Sequence, residues 1–219
     1  MINIVMPIYN GIEFIKESVD SVLNQTFQNW VLIIGINGHL ENSDVYKTAK
    51  KMENDKRIRV YDMHDIKGKS NALNEMMKYC EYDWISILDV DDIWLPNKLE
   101  KQLPYMETYD VIGTKCKYFG DLQAVPNIPV LNISNQNFFA SNPIINSSSM
   151  IKKELCYWKQ ENEGVEDYDM WIRLWKQHKQ FYNINEILVL HRIHRSSAFN
   201  ANGNNNNVKK LLQDHMKTI

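Results

Sequence analysis

The sequence predicts an α/β fold, with a mostly parallel central sheet flanked by helices. Three observations carry that prediction. Over residues 1–90, strand-like runs alternate with helix-patterned segments in the order β-α-β-α-β-α-β. The strand-like runs are continuously apolar, as in strands buried on both faces. The polar punctuation, Asn10-Gly11, Asn37-Gly38 and the acids after Leu88, follows the strands. It therefore collects on the sheet edge where open α/β sheets bind ligands.

Each element has its own warrant. Ile2 to Ile8 is apolar and β-branched, and stops at the turn signal Tyr9-Asn10-Gly11. Ile12, Ile15, Val19, Val22 and Leu23 then recur on one helical face. Trp30 to Ile36 is the second strand. Ser43 is an N-cap residue type ahead of a helix to Asn54. Ile58 to Met63 is the third strand. Ser70 to Tyr79 is a helix with Ala72, Leu73, Met76 and Met77 inward, and Trp84 to Leu88 is the fourth strand. Pro96 opens a helix expected to reach Thr108. Val111 to Phe119 and Ser147 to Ile151 read as strands, with an irregular Asn-, Pro- and Gln-bearing stretch between them. Tyr168 to His178 is a helix carrying Trp171, Ile172, Leu174 and Trp175, and Ile187 to Ile193 is a last strand. Residues 199–207 form an Asn-rich linker, and 208–219 an amphipathic helix with Lys209, Lys210 and Lys217 beside its apolar stripe.

Bulk composition narrows the function. At 219 residues the chain suits one large α/β domain, or one domain with an appendage. It is 44% hydrophobic and 24% charged with a net charge of −2, so no basic excess points to nucleic acid. Three scattered cysteines, Cys80, Cys116 and Cys156, fit reduced thiols rather than a disulfide framework or a zinc site. With no apolar run of membrane-spanning length and no basic leader, a soluble cytoplasmic protein is expected.

One stretch calls for explanation. Trp84 to Leu88 is buried in character, yet it runs straight into Asp89-Val90-Asp91-Asp92. Carboxylates crowded at a strand end raise one another's pKa unless a cation joins them. Mg²⁺ or Mn²⁺ takes carboxylate oxygens and keeps positions for water and a substrate phosphate. The plainer alternative is a solvated acidic turn capping the next helix.

Further motifs accompany this one in a definite order. They are MPIYNG at the N-terminus, Glu17-Ser18-Val19 through Leu23-Asn24-Gln25-Thr26-Phe27, Gly68-Lys69-Ser70-Asn71-Ala72-Leu73-Asn74, Asn146-Ser147-Ser148-Ser149-Met150, Glu166-Asp167-Tyr168-Asp169-Met170-Trp171-Ile172-Arg173-Leu174, and His191-Arg192-Ile193-His194 with Ser196-Ser197. Together with Asp89-Val90-Asp91 they resemble family 2 of the inverting glycosyltransferases with the GT-A fold. The resemblance covers residues 1–198. It implies a GT-A glycosyltransferase domain over 1–198, with a nucleotide-sugar-binding half (1–92) and an acceptor-side half (93–198).

The resemblance also implies roles. Asp91, with His194, would ligate Mn²⁺ or Mg²⁺. Asp89 would hold the nucleotide sugar, with Pro7, Tyr9, Asn10, Asn37, Lys69 and Arg192 contacting the nucleotide or its diphosphate. Asp167 would be the general base. Each has a plainer alternative: Asp167 as part of an acidic first helical turn, Arg192 as an ordinary ion pair, Lys69 as a solvated lysine, His194 as a packing histidine. The helix N-terminus would lower the pKa of Asp167 and keep it ionised. Trp94, Trp158 and Trp171 are core residues first and sugar platforms second. One departure stands out. The family's second strand commonly ends in two aspartates, the second of which contacts uracil; here Ile36-Asn37 stands instead.

The implied reaction moves a sugar from a UDP-sugar to a hydroxyl of a glycan, lipid-linked or protein acceptor, in glycan synthesis. Two other readings remain at this point: a non-catalytic nucleotide-sugar-binding relative and a sugar nucleotidyltransferase. The latter would be expected to carry a Gly-rich phosphate loop that MPIYNG lacks. The 208–219 helix offers three uses: packing on the domain, lying on a membrane surface, or self-association.

Overall fold

A computed structural model describes residues 1–195 and 204–217. Ser196, Ser197, linker residues 199–203 and residues 218–219 lie outside the described residues. The strands are β1 (Ile2–Ile8), β2 (Trp30–Asn37), β3 (Ile58–Met63), β4 (Trp84–Ile87), β5 (Ile93–Trp94), β6 (Val111–Gly120), β7 (Leu131–Asn132), β8 (Met150–Lys152) and β9 (Phe181–Ile193). The helices are α1 (Ile15–Leu23), α2 (Asp44–Lys50), α3 (Lys69–Met76), α4 (Lys98–Gln102), α5 (Glu166–Lys176) and α6 (Asn204–Met216).

Among the described residues the strands form one sheet in the order β3-β2-β1-β4-β8-β6-β9-β5, with β7 beside β9. The long pairings are parallel: β1 with β2, β2 with β3, and β6 with β9. The antiparallel pairings are each two or three residue pairs long. β1 and β2 are buried along their whole length, as continuous apolar strands must be when helices cover both faces. One apolar cluster lies on each side of the sheet. Ile4, Met6, Leu32 and Trp94 belong to the first, and Val5, Ile33, Ile87 and Trp171 to the second.

Strand direction explains how the end of the chain reaches the acids after β4. β8 runs antiparallel to β4, β6 antiparallel to β8, and β9 parallel to β6. Two reversals cancel, so β9 points the same way as β4. Its last residues, His191 to Ile193, therefore emerge on the rim that carries Asp89. After Asp92 the chain turns back as β5, antiparallel to β9.

Several boundaries differ from expectation. The Asn146–Ser148 segment is a 3₁₀ turn, with β8 starting at Met150. Three successive serines favour local backbone bonding over a ladder, and Ser148 and Ser149 hydroxyls donate to Ile145 O and Asn146 O. The helix after Pro96 is short, ending at Gln102 before a 3₁₀ turn that contains Pro104. β9 begins six residues early, at Phe181, because pairing with β6 extends it. α6 begins at Asn204, so part of the expected linker is its first turn. α6 packs on the domain: Leu211 is buried, with Val208 and Leu212 against the second cluster. Among the described residues no helix is long and apolar enough to cross a membrane.

Candidate active site

The acids after β4 sit in a tight turn, with the Asp92 amide donating to Asp89 O at 3.1 Å. Gly11 permits the β1 loop to lie against it. Its φ is 87°, and a Cβ there would stand 2.9 Å from Val90 Cγ1. The three carboxylates then diverge. Asp89 accepts Lys69 Nζ at 2.6 Å on Oδ1, and Asn146 Nδ2 at 3.0 Å and Ser147 Oγ at 3.4 Å on Oδ2. Asp91 Oδ2 meets His194 Nε2 at 2.9 Å. Asp92 is fully buried, with Oδ2 on His191 Nδ1 and Oδ1 on the Arg192 amide, both at 2.9 Å.

Environment sorts these groups. Burial pushes the Asp89 carboxyl up, but the Lys69 ammonium outweighs it and the net shift is downward. Asp91 is raised, by burial and by repulsion from Asp92 and Asp89. Burial opposes charge on His191, yet the Asp92 carboxylate beside it wins and raises the imidazole to about 9. His191 is thus an imidazolium at neutral pH, a cation not among the residues expected at the site, which include its neighbours Arg192 and His194. The signal was available: a strand residue one position ahead of an expected site residue, on the rim.

The second acidic group lies at the start of α5. Asp167 is in its first turn and accepts Asn142 Nδ2 at 3.2 Å. The expected fall in its pKa is corrected by the structure. Burial raises the carboxyl, and Lys69 and the helix amides recover only part of that. Glu166 is buried and raised for the same first reason. Its Oε1 lies 3.6 Å from Lys69 Nζ, so Lys69 bridges the two acidic groups. These carboxylates hold the Lys69 ammonium well above the usual lysine range against the opposing effect of burial. Lys69 is the first residue of α3 rather than a loop residue. Its own amide, with that of Ser70, is capped by the Glu163 carboxylate. The α5 approach is thereby tied to α3.

The other expected residues fall as follows. Pro7 lies inside β1, and Asn37 closes β2, buried. Tyr9 is 56% exposed, with His39 tilted beside its ring at 5.1 Å. Asn10 is exposed on the same loop. Pro7 and Asn37 thus lie within the sheet, while Tyr9 and Asn10 stand at its edge. Arg192 is placed differently from expectation. Its Nε donates to Asp91 O at 2.9 Å, its Nη2 reaches Glu17, and its guanidinium lies between Phe14 and Phe119 at 4.4 and 4.3 Å. That geometry braces the Asp91 turn, and a diphosphate would have to compete with Glu17. Trp94, Trp158 and Trp171 are all core.

A buried support lies beneath. Trp94 Nε1 donates to Ser147 O at 2.7 Å, fixing the residue that touches Asp89. Lys98 Nζ stands 3.9 Å from the Trp94 ring centroid and donates to Ser86 Oγ and Gln102 Oε1. Burial holds the Lys98 ammonium well below the usual lysine range.

The donor set suits a divalent cation. One carboxylate and one imidazole converge at Asp91 and His194, and Asp91 is repelled by two neighbouring acids. Among the described residues no group of three or more such side chains could hold a metal. A bound cation would therefore draw its other ligands from phosphate oxygens and water, as Mg²⁺ and Mn²⁺ commonly do.

Comparison with known proteins extends this geometry. The Glycosyl transferase family 2 model matches residues 3–150. The O-antigen biosynthesis glycosyltransferase WbnJ of Escherichia coli is 31% identical over 214 residues, spanning 90% of this chain and 82% of that protein. The E. coli UDP-Glc:alpha-D-GlcNAc-diphosphoundecaprenol beta-1,3-glucosyltransferase WfgD is 37% identical over 107 residues, 48% of this chain and 41% of that one. Among solved structures, S. aureus TarS 1–349 in complex with UDP-GlcNAc superposes with a TM-score of 0.78 at 14% identity, covering 98% of this chain and 66% of that one. The mannosyltransferase PcManGT of Pyrobaculum calidifontis, in complex with GDP-Man and Mn²⁺, gives 0.68 at 12% identity, covering 90% and 58%. These superpositions establish the GT-A fold.

Proposed function

The chain belongs to glycosyl transferase family 2, and from that premise we propose that it is a metal-dependent, inverting enzyme. It moves a sugar from a nucleoside-diphosphate sugar to an acceptor hydroxyl. A UDP-sugar is the leading donor: the names of two similar proteins carry UDP donors, against one GDP-mannose complex. A glycan, free or lipid-linked, is the leading acceptor, by likeness to an O-antigen enzyme and a diphosphoundecaprenol-dependent one. Residues 1–92 take the donor and 93–198 the acceptor. Family membership as a glycosyltransferase sets the nucleotidyltransferase reading aside.

One observation carries this reading. Lys69 joins Asp89 and Glu166, and so gathers acids from both halves of the chain at one rim. Asp91 and His194 would hold Mn²⁺ or Mg²⁺, which supplies a Lewis acid for the charge that develops on the departing diphosphate. Asp89, aimed by Lys69, Asn146 and Ser147, would accept hydroxyls of the donor sugar. Asn146 Oδ1 is buried with no partner among the described residues, an acceptor suited to a further hydroxyl. Tyr9 and Asn10 flank the base, and Asn37 replaces a carboxylate with a neutral amide that both donates and accepts.

Asp167 receives the acceptor's proton as the new bond forms. Its raised pKa brings it closer to the operating pH, which favours a general base. Attack from the side opposite the leaving diphosphate inverts the anomeric centre.

The test is release of nucleoside diphosphate from a panel of UDP- and GDP-sugars with Mn²⁺, with and without EDTA. The reading expects release that EDTA abolishes and that Asp91→Ala reduces by weakening metal-dependent donor binding. Binding without turnover on every donor and acceptor tried, or turnover indifferent to EDTA, would overturn it.

A further inference from the structure

Asp167 has a partner that no motif marks. Asn142 Nδ2 donates to Asp167 Oδ2 at 3.2 Å, and Asn142 Oδ1 accepts the Ile144 amide at 3.3 Å. The second bond decides the orientation of the side-chain amide, so its N–H faces the carboxylate. The backbone around Asn142 is itself held. Asn183, on β9 and fully buried, donates to Pro143 O at 2.8 Å and Pro129 O at 2.7 Å. Its place exists because residue 113 is glycine: a Cβ there would stand 2.1 Å from Asn183 Oδ1. A continuous chain thus runs from the sheet interior at Gly113, through Asn183 and Pro143, to Asn142 and the carboxylate.

We infer that Asn142 is a positioning residue for the base. It engages Oδ2, turns the carboxylate plane, and leaves Oδ1 as the oxygen that takes the acceptor proton. This rests on Asp167 being that base. The other charges facing Asp167 are the Lys69 ammonium from α3, Asp89 from the turn after β4, and Glu166 beside it. Lys69 favours the ionised form and the two acids oppose it. The amide N–H adds to Lys69, so its loss would leave Asp167 protonated to higher pH.

The experiment reads the Asp167 titration directly. Protein carrying ¹³C-labelled aspartate is titrated by NMR in metal-free buffer, with Asp167→Asn identifying the resonance. Asn142→Ala removes the donor. Asn142→Asp keeps the shape and the Ile144 bond but turns the donor into a repelling acceptor. The midpoint should rise in the order wild type, Asn142→Ala, Asn142→Asp, with the first step about one pH unit. The acid limb of Mn²⁺-dependent UDP release from UDP-glucose or UDP-GlcNAc should move the same way. Midpoints that stay together, even with reduced turnover, would overturn the inference and leave Asn142 a structural contact. Turnover that survives Asp167→Asn would instead overturn the base assignment, a result the Asn142 midpoints cannot produce.

Discussion

Asp89-Val90-Asp91 and Asp167-Tyr168-Asp169 share a spacing, yet the two pairs behave differently. In the first, both carboxylates face the rim of the sheet, one on Lys69 and the other on His194. In the second, Asp167 stands beside the rim, whereas Asp169 is buried and held by Arg173 at 2.7 Å and His215 at 2.9 Å. The difference is backbone conformation. On α5, residues two apart point to nearly opposite sides. In the turn after β4 no helical period applies, and Val90 packs inward while both acids stay at the edge. A carboxylate pair is therefore informative only together with the element that carries it.

The sharpest way to break this comparison is Asp167→Asn beside Asp169→Asn. The first should cost about 10²–10⁴ in transfer rate while donor affinity, by isothermal titration with Mn²⁺, stays. The second should leave turnover per folded molecule within about threefold of wild type, if Asp169 acts only by packing. Equal losses would mean the two acids share a role.

Next is stability. Asp169→Ala leaves Arg173 and His215 without their buried carboxylate. Breaking such a pair costs ~3–5 kcal/mol, and the partial exposure of Arg173 and His215 favours the lower end. Urea titration should show it, and limited proteolysis should release α6, which His215 helps to dock. An unchanged midpoint would return Asp169 to the site.

A smaller effect sharpens the turn after β4. The folded-state pKa of His191 is about 9 against an unfolded value near 6.5. Its contribution is fully present below about 6.5 and is lost as pH rises through about 9. At most it is about 3 kcal/mol. Denaturant titrations in EDTA should show stability falling over that window, and His191→Gln should flatten the fall.

Lys98 gives the opposite sign. Its folded pKa lies below the unfolded value, so the unfolded chain binds more protons between the two. Stability should rise with pH across that interval, up to about 10.5. Lys98→Met should abolish the rise and stay within about 1 kcal/mol of wild type near neutrality, since apolar replacement of a buried charge is often neutral or better. A large loss would show that the ammonium over Trp94 is needed as a cation.

Legibility followed the two halves. β1, β2 and β3 fell within a residue of expectation; for β1 and β2, apolar runs closed by Asn-Gly signals leave few alternatives. Burial of Trp94, Trp158 and Trp171 was equally plain. The second half was harder. Ser147 to Ile151 looked like a strand, yet Ser147 is a turn residue that binds Asp89. Its backbone is held by Trp94, and that of Ser149 by Ser86, both distant in sequence. Asn142 and Glu163 carried no motif, and His191 lay in one without a role of its own, since their partners lie on other elements.

From the sequence alone came the alternation of elements, the sheet edge on which polar residues gather, and the acids that gather there. Periodicity and turn chemistry are local, and they suffice for those features. Which charge meets which was settled only by tertiary structure. Lys69 turned to Asp89 and Glu166, Arg192 to Glu17, and Asp169 away from the site. Two strand reversals, rather than any residue pattern, brought the end of β9 to the turn after β4. Such pairings depend on distances between segments far apart in the chain, and those distances exist only once the sheet has closed.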